Sequence, residues 1–211
     1  MARTISLRVH QFRGDAAVVA THADAAIELC KEHDFVHYLA MALILRGWAS
    51  ARQGEFEKGI AELQEGLDKE RAVGALLFES YTLGLLADAC LKHERYGQAL
   101  DFLKQAQLGL NEASSEHFYA AEIYRLFGET YLRSRQDLDQ AGHYLAKALE
   151  IAREQKAKSL ELKVCVSIYD LYQARQNAGH FRQQLDAIYG SFSEGFDTLD
   201  LIQAKARLKN T

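Results

Sequence analysis

The sequence predicts an all-α protein built as a stack of antiparallel helix pairs. Three features carry that prediction: 211 residues without a single proline, short polar breaks that recur roughly every 40 residues, and apolar residues three and four apart between the breaks. Proline is normally recruited to loop starts and sheet edges, and ordinary usage of about 5% would place roughly ten here. Long helices joined by tight turns need none.

The elements follow in order. Ile5 to Phe12 reads as the back half of a helix and ends at the break Arg13-Gly14-Asp15. A helix with Val19, Ala23, Ala26 and Ile27 on one side comes next, with Ala16 where later units place a large apolar residue. The following breaks are Gln53-Gly54-Glu55, His93-Glu94-Arg95, Arg135-Gln136-Asp137 and Ala178-Gly179-His180. Each is followed by a large apolar residue and an amphipathic helix: Phe56 before Ile60, Leu63 and Leu67; Tyr96 before Leu100, Leu103 and Ala106; Leu138 before Ala141, Leu145 and Leu149; Phe181 before Leu185 and Ile188. Ahead of the breaks run partner helices over Tyr38 to Gln53, Leu76 to His93, His117 to Arg135 and Ser159 to Ala178.

The whole chain is expected to be one repeat domain. A partial first helix (1–14) precedes units at 15–37, 38–74, 75–116, 117–157 and 158–196, and a capping helix (197–211) closes the stack. In that last helix Leu201, Ala204 and Leu208 form one apolar stripe, and Thr198 or Asp197 is placed to cap its N-terminus. Gly47 and Gly128 fall inside partner helices at one slot, occupied by Ala87 and Tyr172 in the other units. A helical glycine costs about 1 kcal/mol against alanine, so close approach of a neighbouring helix is the expected reason for it.

Composition narrows the function. A hydrophobic content of 48% with 26% charged residues is that of a globular chain. A net charge of -4 gives no positive field for nucleic acid or anionic lipid, and the longest apolar run, Leu39 to Leu45, is far too short to span a bilayer. Cys30, Cys90 and Cys165 are odd in number, far apart and set in apolar helical stretches, as reduced core cysteines of a cytoplasmic protein would be. The N-terminal segment lacks the sustained apolar stretch of a secretory signal.

No constellation for chemistry emerges. His33 and His37 have the spacing of a metal pair on one helix face, but they straddle the expected helix boundary and read as a solvated turn. The acids Glu28, Glu32, Glu62, Glu65, Asp68 and Glu70 lie among lysines and arginines and read as a solvated face. There is no Gly-x-Ser-x-Gly elbow and no phosphate-binding G-x-x-x-x-G-K-[ST] loop. The expectation is therefore a protein that is not an enzyme and uses neither cofactor nor metal.

The strings Gly54-Glu55-Phe56-Glu57-Lys58-Gly59-Ile60 and Glu94-Arg95-Tyr96-Gly97-Gln98-Ala99-Leu100 resemble the centre of a tetratricopeptide repeat, with Ala106 and Ala148 at its small packing positions. The units depart from that family in being longer and in lacking its closing proline. They are more similar to the long-helix variant of bacterial signal-transduction ATPases. From about His10 to Leu208 the chain also resembles the C-terminal helical region of bacterial proteins that join a class III nucleotide cyclase domain to a P-loop (STAND-type) ATPase domain. That likeness is carried by strings such as Ile44-Leu45-Arg46-Gly47-Trp48-Ala49 and by Gly195-Phe196-Asp197-Thr198 leading into the last helix. Neither activity is implied here, because neither catalytic domain is present. The chain reads as the far end of a longer ancestor.

The resemblance implies a right-handed superhelix, a TPR-like α-solenoid whose first helices line a concave groove. Its expected partner-facing residues are Met41, Ile44, Trp48 and Arg52, then Tyr81, Asp88 and Lys92, then Arg125, Glu129 and Arg133, and finally Tyr169 and Gln173. Aromatic and arginine side chains of this kind concentrate binding energy. Read without the resemblance, Trp48 and Tyr81 are partial core residues and Arg125–Glu129 is a surface pair. The leading function is a protein- or peptide-binding scaffold or sensory module. Alternatives are a small-molecule pocket lined by Trp48 and Tyr81, and self-association as a homo-oligomer through the N-terminal end, where Val18, Val19 and Ala26 would lack a full cover.

Overall fold

The computed structural model describes residues 2–110, 115–134, 137–177 and 179–209. These residues form α-helices and short 3-10 turns without any strand. The helices are α1 (Ala2–Arg13), α2 (Ala16–Glu32), α3 (Val36–Arg52), α4 (Phe56–Ala72), α5 (Glu79–Lys92), α6 (Tyr96–Gly109), α7 (Ala120–Ser134), α8 (Leu138–Glu154), α9 (Lys158–Ala174), α10 (Gly179–Gly190) and α11 (Leu199–Lys209). Short 3-10 turns at Leu76–Phe78 and Ser115–Tyr119 replace the expected first turns of α5 and α7. The chain divides into two compact units, Met1–Glu116 and His117–Thr211.

One turn joins helix to helix in both units. A residue in the left-handed region ends the helix at Gly14, Asp34, Gly54, Gly74 and Glu94 in the first unit and at Lys156 and Gln176 in the second. The N–H of the next residue then bonds a carbonyl five positions back, for example Asp15 to His10, Phe35 to Cys30, Glu55 to Ser50, Arg95 to Cys90 and Ala157 to Ala152, at 2.9–3.0 Å. This is the Schellman closure, which satisfies carbonyls that a helix end would otherwise orphan. In the first unit the turn falls every twenty residues, so the repeat is 40 residues to the position. The break at Arg135-Gln136 and Ala178 fall outside the described residues.

Packing follows from this spacing. Within the first unit α2 lies between α1 and α3, α4 between α3 and α5, and α6 against α5, while α1, α3 and α5 form a second row in mutual contact. In the second unit α7, α9 and α11 form the corresponding row, with α8 and α10 outside it. The outer helices bury one stripe, such as Phe56, Leu63 and Leu67 of α4 or Ala141, Leu145 and Ala148 of α8. Helices α3 and α5 have neighbours on several sides and are buried nearly all round, from Ala40 to Leu45 and from Tyr81 to Ala87. Rings heading the outer helices pack on neighbouring elements: Phe56 sits 4.1 Å from the His93 ring, with the Arg95 guanidinium 4.5 Å from its centre, at the turn one repeat later, and Phe181 stacks on Tyr172 of the preceding helix.

Two details correct the sequence reading. Val19 and Ala26 are 0% and 3% exposed, because α1 and α3 cover them, so they form no open face; Val18, at 37%, stays partly exposed. Counted back from the left-handed residue, the slot of Gly47 and Ala87 is Tyr169, and Tyr172 lies almost one turn later. In α11, Leu201 and Ala204 are buried and Leu208 is half-buried. The Thr198 hydroxyl donates back to the Gly195 carbonyl at 2.7 Å.

Gly47 is where α3 and α4 touch backbone to backbone. A Cβ there would lie 2.7 Å from the Gly59 carbonyl oxygen and 2.7 Å from the Leu63 nitrogen, and a Cβ at Gly128 would lie 2.5 Å from Leu145 Cγ. Gly142 of α8 differs, since its nearest neighbour would be Leu171 Cδ2 at 3.5 Å, an ordinary contact. Gly47→Ala is therefore expected to cost about 1–3 kcal/mol by overpacking, whereas Gly142→Ala gains about 0.5–1 kcal/mol from helix propensity. Urea unfolding of the two variants reads both signs, and a neutral Gly47→Ala would refute the close contact.

The turns give a second expectation. Glu94, Lys156 and Gln176 hold φ of 54–59°, a region that costs a side-chain-bearing residue about 1–2 kcal/mol. Replacing any of them with glycine should stabilise the protein by about 0.5–1 kcal/mol after the extra backbone entropy is counted. Gly54→Ala, at φ 94°, should lose about 1 kcal/mol. Equilibrium denaturation midpoints check all four.

Candidate functional site

The residues expected to face a partner fall into two groups. Met41, Ile44 and Trp48 are 7%, 3% and 5% exposed, and Tyr81 and Tyr169 are each 1% exposed, so all five are packed inside their units. Arg52, Asp88 and Glu129 are half-buried, and Lys92, Arg133 and Gln173 are exposed. The accessible part of the expected set is thus charged and polar.

In the first unit the reason is the tightness of the inner row. Tyr81 at the start of α5 reaches past α3 to α1, where its hydroxyl donates to Gln11 Oε1 at 2.9 Å, and the Phe12 ring meets it edge-on at 6.1 Å. The Arg8 guanidinium lies 3.8 Å from the Phe78 ring centre and 5.3 Å from that of Tyr81. A guanidinium on an aromatic face is stabilising, and more so when shielded from water. Burial pushes the Tyr81 phenol well above its usual range, with the Arg8 charge opposing that rise. Trp48 and Tyr81 are therefore packed within the row. Arg52 rests over Trp48 at 5.9 Å, and Lys92 is paired with Asp88.

In the second unit the corresponding row is held by charge. Arg125, 8% exposed, donates from Nε and Nη2 to both oxygens of Glu122 at 2.8 Å and from Nη1 to Glu129 Oε1 at 2.5 Å. The Ser167 hydroxyl of α9 donates to the same Glu129 oxygen at 2.7 Å. Lys163 lies 3.7 Å from Glu122 and 3.9 Å from Asp200 of α11, and Arg207 of α11 donates twice to Asp170, at 3.1 and 3.0 Å. The Asp170 hydrogen bonds hold the Arg207 pKa above its ordinary value. The pair read from sequence as a surface i,i+4 contact is thus the centre of a buried network joining three helices.

The three thiols are buried. Burial raises the Cys90 pKa to about 11 and that of Cys165 to about 12, so neither is a thiolate nucleophile at neutral pH. His33 and His37 are exposed on either side of the left-handed Asp34, and no cluster of three or more metal-ligating side chains occurs among the described residues. No helix among the described residues is long and apolar enough to cross a membrane.

These features define paired helices whose inner rows are closed by aromatic and ionic contacts, with a polar accessible edge. No family model matches the chain. It is similar to an uncharacterized protein of Rhizobium meliloti (strain 1021), with 25% identity over 144 residues. The match covers 68% of this chain and 14% of that protein, so the chain corresponds to a small part of its length.

The ionic network sets a sharp expectation. Arg125→Met leaves the 5%-exposed Glu122 without its bidentate partner, and breaking a buried pair from one side typically costs about 3–5 kcal/mol. The double change Arg125→Met with Glu122→Gln should recover much of that loss. Thermal and urea unfolding of both variants measure it, and a single variant as stable as wild type would show that the network holds nothing.

Proposed function

We propose that the chain is a non-catalytic binding scaffold of tetratricopeptide-like repeats that engages a protein or peptide along the accessible edge of its inner helix rows. The observation that carries this reading is the division of those rows: aromatic and ionic contacts fill them, and a polar fringe remains, with Lys92 exposed beside the half-buried Arg52 and Asp88 in one unit and Arg133 and Gln173 exposed in the other. A pre-ordered surface pays little entropy on binding, and charged groups at its edge select partner and register. The chain's correspondence to 14% of a much longer relative supports its reading as one module of a larger bacterial signalling protein. A cytoplasmic setting agrees with three free, buried thiols.

The test is a displayed-peptide selection on the full chain, followed by the triple variant Arg52→Glu, Lys92→Glu and Arg133→Glu. Affinity for a selected peptide is expected to fall at least about tenfold, the cost of a few rim charges reversed together, with helical circular dichroism unchanged. Undiminished affinity would place the binding surface elsewhere.

A further inference from the structure

The 40-residue register of the first unit allows one cleft to be read against another. Between α2 and α4 the cleft is filled from below by Arg46 of α3, whose Nε lies 3.1 Å from Glu62 Oε1 and whose Nη1 donates to Asp24 Oδ1 at 3.5 Å. The next cleft, between α4 and α6, has the same residue register, but α5 opens on a 3-10 turn and packs less closely on α4 than α3 does on α2. There the position of Arg46 is held by Leu86, that of Asp24 by Gln64 and that of Glu62 by Phe102. The half-buried guanidinium and both of its carboxylates have no counterpart there. In their place is a cavity of about 330 Å³ that all three substituted residues line.

The chemistry of the cavity is that of a slot for a long stem with a polar head. Its floor is Leu67, Leu83 and Leu86, its wall is Phe102, and its rim carries the Asp68 carboxylate beside the Gln64 and Gln105 amides. The one cation at the rim is already neutralised, since Arg71 donates from Nε and Nη2 to Glu79 Oε1 at 2.8 and 2.5 Å. The neighbouring Lys69 is paired with Glu65 at 3.5 Å. Asp68 enters no ion pair among the described residues and leaves the rim with a net negative charge. A cation on an apolar stem is the complementary ligand. Guanidinium groups already lie over aromatic rings in this unit, Arg95 on Phe56 at 4.5 Å and Arg8 on Phe78 at 3.8 Å.

We propose that the cleft between α4 and α6 is a binding slot for an alkylguanidinium group, as borne by an arginine side chain of a partner or by a small guanidine. The stem runs along Phe102 above the buried Leu83 and Leu86, at the register position that Arg46 holds in the preceding cleft, and the guanidinium meets Asp68. The slot opens among the outer helices, apart from the charged fringe of the inner row, so it stands whether or not that fringe binds a peptide.

The probes are butylguanidinium, its neutral isostere butylurea, and the peptide acetyl-Ala-Ala-Arg-Ala-Ala-amide, each titrated into the ¹⁵N-labelled full chain. Butylguanidinium is expected to shift the amide signals of Leu83, Leu86, Phe102 and Gln105 with a dissociation constant of about 1 mM, a fair value for so small a ligand, and butylurea to bind about tenfold more weakly. Asp68→Asn should erase that preference. Leu86→Arg should abolish binding by filling the slot from within, and Phe102→Leu, a milder change, should weaken it if the arginine variant does not fold. Tighter binding of the peptide would assign the slot to a polypeptide's arginine, and equal binding to a free guanidine. Absence of shifts at these residues, equal affinity for butylurea, or wild-type binding by folded Leu86→Arg would overturn the proposal.

Discussion

The structure depends on one turn. A left-handed residue followed by a hydrogen bond from the next N–H to the carbonyl five back ends a helix and aims the chain into the next one. Because in the first unit this closure falls at residues 14, 34, 54, 74 and 94, the spacing from turn to turn is held constant, and α2, α3 and α4 are each 17 residues long. Packing is then a consequence. The stripe of α4 meets α3 in the register that lets the backbones touch at Gly47 and Gly59, and the aromatic after the turn reaches the next turn. Glycine occupies only some of these positions; Asp34, Glu94, Lys156 and Gln176 tolerate the conformation because the surrounding helices determine it.

This explains what was legible in the sequence and what was not. Breaks containing Gly14 and Gly54 advertise themselves, and the stripe Phe56, Leu63, Leu67 has the period of a helix with one buried side. The left-handed Lys156 and Gln176 carry no such signature, since nothing local favours them. The outer helices were readable because they are covered on one side. Helices α3 and α5 were harder, because neighbours bury them from Ala40 to Leu45 and from Tyr81 to Ala87, and the apolar pattern loses its direction. Which of their residues face outward is a property of curvature, a quantity absent from any local window. Met41, Ile44, Trp48 and Tyr81 read as groove residues for that reason, although Tyr81 is used to tie α5 to α1.

Charge misled in the opposite sense. Arg125, Glu122 and Glu129 look like solvated helix residues, and such residues are seldom buried alone. Here they are buried together, where each supplies what the others need, and the network reaches Ser167 of α9. An ionic row adds little net stability over an apolar one, because desolvation offsets most of the attraction. It does specify geometry, since a bidentate pair tolerates less sliding than a leucine contact. The first unit solves the same problem with Arg8, Phe78 and Tyr81. Two chemistries thus hold the rows of the two units.

That freedom locates specificity in such a fold. If the turn dictates the backbone, a side chain within the stack can be exchanged without moving its helix, as the trio Asp24, Arg46 and Glu62 is exchanged for Gln64, Leu86 and Phe102 one repeat later. Where leucine stands in place of the arginine, and α5 packs less closely on α4, the cleft holds a cavity. The groups around that cavity, a ring face and a carboxylate, suit a guanidinium. In a repeat stack a ligand preference can therefore arise by subtraction from an internal contact, with no loop or insertion to mark it in the sequence.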